Sequence, residues 1–367
     1  MPTVENAFPR KFGRYVLAQT LGTGGMGEVF LALGGRPGKK KTCVIKRLYP
    51  ETRGNAEAEE RFKREGQLVL RLSHGAIAQT LSVGDQEGEP YIVQEFIEGK
   101  DLSQVISLCI SLHVRMPVEI SLYVVSEIAS ALGYVHDLDG LEVVHRDVSP
   151  ANIRLACTGE VKLLDFGIAR SFAQTSLTQV GMVVGRPAYT APELQIGKKA
   201  DRRADVYSLG VVLWELLAGR PYLADGTFPS HHNPKVAATL DQVVAKATCR
   251  DLTGRYLSAV ALQEALKMLL PSGYDGKKEV REFLAKNYDL GREKRLRQTA
   301  IDEALPLLGE GGGRGHGYTW LGIGVVLVIA SIGTYTAWNH FGSRVRLGTL
   351  PGERAESAAP LPNAILQ

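Results

Sequence analysis

The chain has 367 residues, 44% of them hydrophobic and 22% charged. Those proportions suit a folded core and exclude wholesale disorder, collagen and a multi-spanning membrane protein. A formal net charge of +4 is too small to point to nucleic acid. Cys43, Cys109, Cys157 and Cys249 stand singly. With no CxxC pair, neither a zinc site nor a disulfide framework is indicated, and isolated thiols fit a reducing compartment.

Residues 1–14 read as a loose lead, without the apolar stretch of a secretory signal. From 15 to 271 strand-like and helix-like patterns alternate without a long break. YVLAQTLG and EVFLALG flank a glycine cluster, and TCVIKRL follows with alternating apolar positions. A helix pattern runs from about Ala56 to Leu72, and IAQTLSVGD and PYIVQEFI read as two more strands. Helices dominate afterwards, predicted at 102–112, 118–138, 202–219, 236–249 and 258–269. A strand-rich lobe followed by a helix-rich lobe is an α+β arrangement.

Residues 272–317 mix charges and end in GEGGGRGHG, which reads as a flexible juxtamembrane linker. The run from Tyr318 to Trp338 has no charged residue. As a helix it would span about 31 Å, close to the hydrocarbon thickness of a bilayer. Tyr318, Trp320, Tyr335 and Trp338 sit towards its ends like interfacial aromatics. Segment 318–338 is therefore expected to be a transmembrane helix. Gly333 and Ala337 form a small-xxx-small pair that would allow a homodimer. Residues 339–367 form a short tail rich in Ala, Pro and Gly, expected outside the cytoplasm. Arg344, Arg346 and Arg354 follow the span and only Arg314 closely precedes it. The charge count thus leans against a cytosolic N-terminus, whereas the chemistry below requires one.

Gly22, Gly24 and Gly27 make a GxGxxG. Glycines let backbone N–H groups approach a polyphosphate without Cβ interference. A dinucleotide fingerprint would lead into a helix, but EVFLAL reads as a strand, so the loop joins two strands and an oxidoreductase is disfavoured. A phosphate cover of that kind places Val29 over the base. Lys46 ends the next strand, and Glu65, nineteen positions on, sits in the predicted helix where it could fix the lysine. Asp147, in His145-Arg146-Asp147, is suited to accept a hydroxyl proton. Asn152 can supply a metal ligand, and Asp165 in Asp165-Phe166-Gly167 can hold Mg²⁺ against phosphates. Ala191-Pro192-Glu193 closes the segment.

These ordered motifs resemble the eukaryotic-like (Hanks-type) serine/threonine protein kinases, in their membrane-anchored bacterial form, over about 15–271. The resemblance implies a bilobal kinase fold, with ATP and Mg²⁺ between a small β-rich lobe and a larger helical one, plus one C-terminal transmembrane helix. It implies Lys46 on phosphate with Glu65 as its ion-pair partner, Asp147 as the catalytic aspartate, and Asn152 and Asp165 on the metal. Leu21, Gly22, Gly24, Gly27, Val29, Val44 and Lys46 would surround the nucleotide. Glu95, Phe96 and Ile97 look like the hinge, with Gln94 as gatekeeper and Asp101 near the ribose. Asp205 matches an aspartate that braces the catalytic loop, and Arg255 an arginine that pairs with Glu193. Protein substrates carrying Ser or Thr, and a single-pass protein of the bacterial inner membrane with a cytoplasmic kinase domain, follow as expectations.

Two positions depart from the pattern. Ser149 stands where the family usually has Lys, and Arg186, in GRPAYTAPE, where it usually has Thr. A cation and a hydroxyl look exchanged, so Ser149 and Arg186 are candidate catalytic residues; the alternative is a pseudokinase scaffold that binds nucleotide or partners. The stretch PYLADGTFPSHHNPK at 221–235 lacks the helix the family carries there, and its His231 and His232 read as solvated. Arg146 would pair with a phosphate on Thr175, Ser176 or, best placed, Thr178.

Overall fold

The computed structural model describes residues 8–23, 27–36, 39–138, 143–166 and 187–309. Gly24, Arg186, the three activation-segment hydroxyls and the 318–338 run lie outside the described residues.

The small lobe is a six-stranded antiparallel sheet in the order β1-β2-β3-β4-β6-β5. Its strands are β1 (Arg10–Phe12), β2 (Tyr15–Thr23), β3 (Gly27–Arg36), β4 (Lys39–Leu48), β5 (Thr80–Gln86) and β6 (Glu89–Glu95). Strand alternation sorts the side chains. Tyr15, Leu17, Phe30, Ala32, Cys43 and Ile45 pack together on one face. Val16, Ala18, Leu31 and Leu33 pack in a separate cluster, and Val44 and Lys46 of β4 face the cavity between the lobes. Burial pushes the Cys43 thiol up to about 12, so this cysteine acts as a core hydrophobe.

Helix α1 (Ala56–Val69) begins at Asn55, whose side chain accepts from the Glu57 and Ala58 N–H groups at 3.1 Å. It buries Phe62, Glu65, Gly66 and Val69. A Cβ on Gly66 would lie 3.0 Å from Val83 Cγ2 and 3.3 Å from Ile92 Cγ1, so a glycine lets the helix sit close to β5 and β6.

The large lobe is built around α3 (Val118–His136) and α5 (Arg202–Ala218), with α2 (Leu102–Ser111), α4 (Pro192–Gln195), α6 (Ala238–Ala247) and α7 (Ala259–Lys267) around them. Among the described residues α3 is the one helix long and apolar enough to cross a membrane, and it is mostly buried in this core. A small sheet of β7 (Gly99–Asp101), β8 (Ile153–Ala156) and β9 (Val161–Leu163) lies at the junction of the lobes. The 221–235 stretch contains one short 3₁₀ turn, Pro229–His231. It is fastened to α5 by Trp214 Nε1 donating to Thr227 O (2.8 Å) and Asn233 Nδ2 donating to Leu217 O (2.8 Å).

Ordered structure continues past 271, where the sequence reads as a linker. Helix α8 (Gly276–Asn287) buries Val280 and Leu284 in the large-lobe core. After Tyr288, Asp289 accepts from the Arg292 N–H (2.9 Å) and starts α9 (Leu290–Gly309), which packs on the small lobe. The charges in these segments mask an apolar stripe at Ala300, Ile301, Ala304, Leu305 and Leu308, spaced for one helix face.

Candidate active site

A cavity of about 600 Å³ opens between the lobes. The small lobe contributes Leu21, Gly22, Gly27, Val29, Val44 and Lys46 to its lining. Glu65, from α1, and Asp147, Asn152 and Asp165, from the large lobe, line it too. Glu95, Ile97 and Asp101 border it along the connection. Ser149 is not among the lining residues; it is 1% exposed, and its carbonyl accepts from the Asn152 N–H at 2.9 Å.

The glycines differ in what requires them. A Cβ on Gly27 would fall 1.7 Å from the Arg47 carbonyl oxygen, so the β3–β4 pairing itself excludes a side chain there. A Cβ on Gly22 would meet nothing within 4 Å. Gly22, which pairs with Val29 across β2 and β3, borders open space beside the cavity, and packing does not exclude a side chain there.

Lys46 reaches the cavity because it stands two residues after Val44 and so shares the face of β4 that lines it. Its Nζ lies 2.7 Å from Asp165 Oδ1. Burial would lower the ammonium pKa, but Asp165, Glu65 and Asp147 outweigh it and the net direction is up. Lys46 is thus a fixed cation. The contact that fastens it in this structure is with Asp165, whereas the resemblance implies Glu65; Glu65 adds its field from α1.

Asp147 is held by its neighbours. Asn152 Nδ2 donates to both Asp147 Oδ2 and the Asp147 carbonyl, each at 2.8 Å. The Asp147 N–H donates to His145 Nδ1 (3.3 Å), while His145 Nε2 faces the Leu164 carbonyl (3.0 Å). Those partners require the neutral imidazole with its proton on Nε2. Burial lowers the His145 pKa in the same sense, against the pull of Asp205. The ring also lies 4.6 Å from that of Phe166, tilted by 50° to it, beside Asp165.

Behind the loop, Asp205 is fully buried and accepts three hydrogen bonds. His136 Nε2 and the His145 N–H reach Oδ2, and the Arg146 N–H reaches Oδ1, all at 2.8 Å. Burial alone would raise its pKa, but these donors pull it below the ordinary carboxylate value. Arg146 and Asp165 take positive φ, 61° and 44°, so the loop turns at both residues. Arg255 grips Glu193 through two bonds, Nη1–Oε1 at 2.8 Å and Nη2–Oε2 at 3.1 Å.

The hinge is bound from below by a residue that the motifs did not single out. Arg154 donates to Ile97 O (2.8 Å), Gly99 O (2.9 Å) and Asp101 Oδ1 (2.6 Å). Arg154 lies on β8 directly opposite Asp101 of β7, a pairing between segments remote in sequence that no local motif announces. The Glu95 carboxylate turns away from the cavity to Lys162 Nζ (3.2 Å) and the Gln79 N–H (2.9 Å). Any part Glu95 plays towards a base therefore falls to its backbone.

Asp165 and Asn152 fit a hard divalent cation. Asn152 spends its amide N–H groups on Asp147 and keeps its carbonyl oxygen, and Asp165 is a carboxylate. One or two such oxygen donors completed by phosphates is the usual protein share of a Mg²⁺ site.

Sequence comparison agrees with this architecture. The protein kinase domain family matches residues 15–304, and the chain belongs to that family. A tyrosine-protein kinase from Myxococcus xanthus, MasK, is 35% identical over 72% of this chain and 44% of its own length. The serine/threonine-protein kinase PknB of Mycobacterium leprae is 31% identical over 97% of this chain and 59% of its own. The chain spans less than two thirds of either relative. The crystal structure of the PknI kinase domain of Mycobacterium tuberculosis superposes with a TM-score of 0.57 at 30% identity, covering 71% of this chain and 98% of that one. Membership implies a bilobal kinase fold, as observed, and use of ATP with a divalent metal.

Proposed function

We propose that the chain is an ATP-dependent serine/threonine protein kinase. The observation that carries this reading is that Lys46, Glu65, Asp147, Asn152 and Asp165, spread over the sequence, line one cavity. In the reaction, a substrate hydroxyl oxygen bonds to the γ-phosphorus as the bond to ADP breaks. Asp147 accepts the hydroxyl proton, and Asn152 holds the carboxylate oriented for it. Lys46 meets phosphate charge in a site where most of the catalysis is positioning and neutralisation. Mg²⁺, held by Asp165 and Asn152, would supply further charge neutralisation at the phosphates.

The relatives' names include both a tyrosine kinase and serine/threonine kinases, so the acceptor is part of the test. The full-length chain is incubated with γ-labelled ATP and Mg²⁺, and the labelled product is hydrolysed to phosphoamino acids. Label on Ser and Thr is expected; label confined to Tyr would overturn the acceptor class.

Arg186 in this reading supplies the cation that the family usually takes from the position of Ser149. What supports it is the pairing of the two departures in sequence, together with the intact Lys46, Asp147, Asn152 and Asp165. Ser149→Lys and Arg186→Thr are each expected to lower kcat and to recover it together. Two single variants as active as the parent would refute the exchange. Residues 318–338 in the same reading anchor the protein in the bacterial inner membrane with its kinase domain in the cytoplasm, where ATP is. The carrying feature is an uncharged run with aromatic ends.

A further inference from the structure

Helices α8 and α9 lie beyond the segment in which the catalytic motifs occur, yet they touch both lobes. α8 is fixed to the large lobe. Val280 and Leu284 are fully buried in its core, and a Cβ on Gly276 would strike the Tyr123 ring at 2.2 Å. α9 is fixed to the small lobe, with Ala304 fully buried among Val16, Ala18, Leu31 and Leu33. Leu31 and Leu33 alternate with Phe30 and Ala32 and so share the face of β3 that carries Val29, a residue of the cavity. The face that roofs the cavity thus continues into the seat of α9.

The first turns of α9 run beside the hinge. Glu293 pairs with Lys100, and Arg297 pairs with Glu98. The Arg297 guanidinium also lies 5.4 Å from the centre of the Phe96 ring, and Lys100 Nζ lies 4.7 Å from that of Tyr288. Glu293 and Arg297 themselves line the cavity. Two chain segments therefore pass between the lobes side by side, the hinge at 96–101 and the α8–α9 junction at Tyr288 and Asp289. The pairs Lys100–Glu293 and Glu98–Arg297 tie one to the other.

We infer that α9 forms the outer wall of the nucleotide site and that Arg297 and Glu293 are positioning residues for the nucleotide. They act by fixing the backbone of residues 96–101 against which a base would lie. This inference rests on the reading of the cavity as a nucleotide site. It makes nucleotide affinity a property of the helix after the large lobe as well as of the motif residues. A pair anchored on this helix can hold the hinge because the apolar stripe centred on Ala304 seats the helix on the β2–β3 face. Ala304 leaves no room for α9 to slide without moving β2 and β3.

The test uses the full-length chain in detergent and a fluorescent ADP analogue with Mg²⁺, together with steady-state kinetics in ATP. Arg297→Glu places two carboxylates against each other at the hinge. It is expected to raise the nucleotide Kd and the ATP KM by about 3- to 10-fold, the range of a partly buried ion pair turned repulsive, with kcat within about twofold. The double variant Arg297→Glu with Glu98→Arg is expected to recover the parental Kd, which a general loss of packing would not do. Ala304→Asp is expected to raise Kd as well, with faster amide exchange at 96–101 in the unliganded protein. An unchanged Kd in Arg297→Glu, or a raised Kd that the Glu98→Arg change does not restore, overturns the inference. If the parental chain binds no nucleotide, it is the reading of the cavity that fails, and the inference falls with it.

Discussion

Asp205 shows how a single side chain fixes a loop that carries chemistry. Its two oxygens accept from His136, from the His145 N–H and from the Arg146 N–H, and it has no exposure to water. Each donor would otherwise be a buried polar group without a partner. Asp205→Ala leaves them so, and we expect it to lower stability by about 3–5 kcal/mol. Activity is expected to fall further than that loss of folded protein accounts for, because Arg146 adjoins Asp147. Chemical denaturation alongside kcat checks this, and a variant with parental kcat and a small stability loss would contradict it. That Lys46, Glu65, Asp147, Asn152 and Asp165 belong together was legible in the sequence, because the family they resemble sets those residue types at those spacings, and the fold does bring them to one cavity. Arg154 was not, since an arginine on a short strand carries no such demand, and its purpose shows only in the fold, where it meets the carbonyls of Ile97 and Gly99 and the Asp101 carboxylate.

At the scale of elements, α1 controls where Glu65 stands, and Gly66 controls α1. Val83 and Ile92 already lie within 3.0–3.3 Å of where a Cβ would be. Gly66→Val must push the helix off the sheet or force those side chains aside. The expected result is a loss of about 1–3 kcal/mol in stability together with a drop in kcat/KM, because the Glu65 charge is withdrawn from Lys46. A variant that loses stability and keeps kcat/KM would show that Glu65 is not placed by this contact. Helices α1, α2, α3, α5, α6 and α7 begin and end within a few residues of their sequence expectations, since apolar periodicity over ten or more residues is a strong signal. Strands β7, β8 and β9, three or four residues each, are too short for a period to show, apart from the apolar stretch before Asp165. α8 and α9 were read as linker because their charges dominate the composition. The stripe at 300, 301, 304, 305 and 308 was present all the same, but its partner, the β2–β3 face, is remote in sequence.

On the scale of the whole molecule, two lobes with separate cores meet over a cavity lined by residues from both. The small lobe brings the Lys46 cation and the Glu65 carboxylate, and the large lobe brings the braced Asp147 carboxylate with Asn152 and Asp165, the oxygen donors of the proposed metal site. Neither lobe holds the whole set, so the proposed reaction depends on their registration across the 96–101 connection, which Arg154 binds from below and α9 flanks. In the proposed reaction Asp147 takes the proton of the attacking hydroxyl in this cavity. The most direct measurement compares the full-length chain with Asp147→Asn, each with Mg²⁺ and γ-labelled ATP, following label into the protein and into a basic protein substrate. Transfer by the parent is expected, with a loss of about a hundredfold or more in the variant and parental nucleotide binding in both. Equal labelling by the two proteins, or nucleotide bound by the parent with no label transferred, would contradict it.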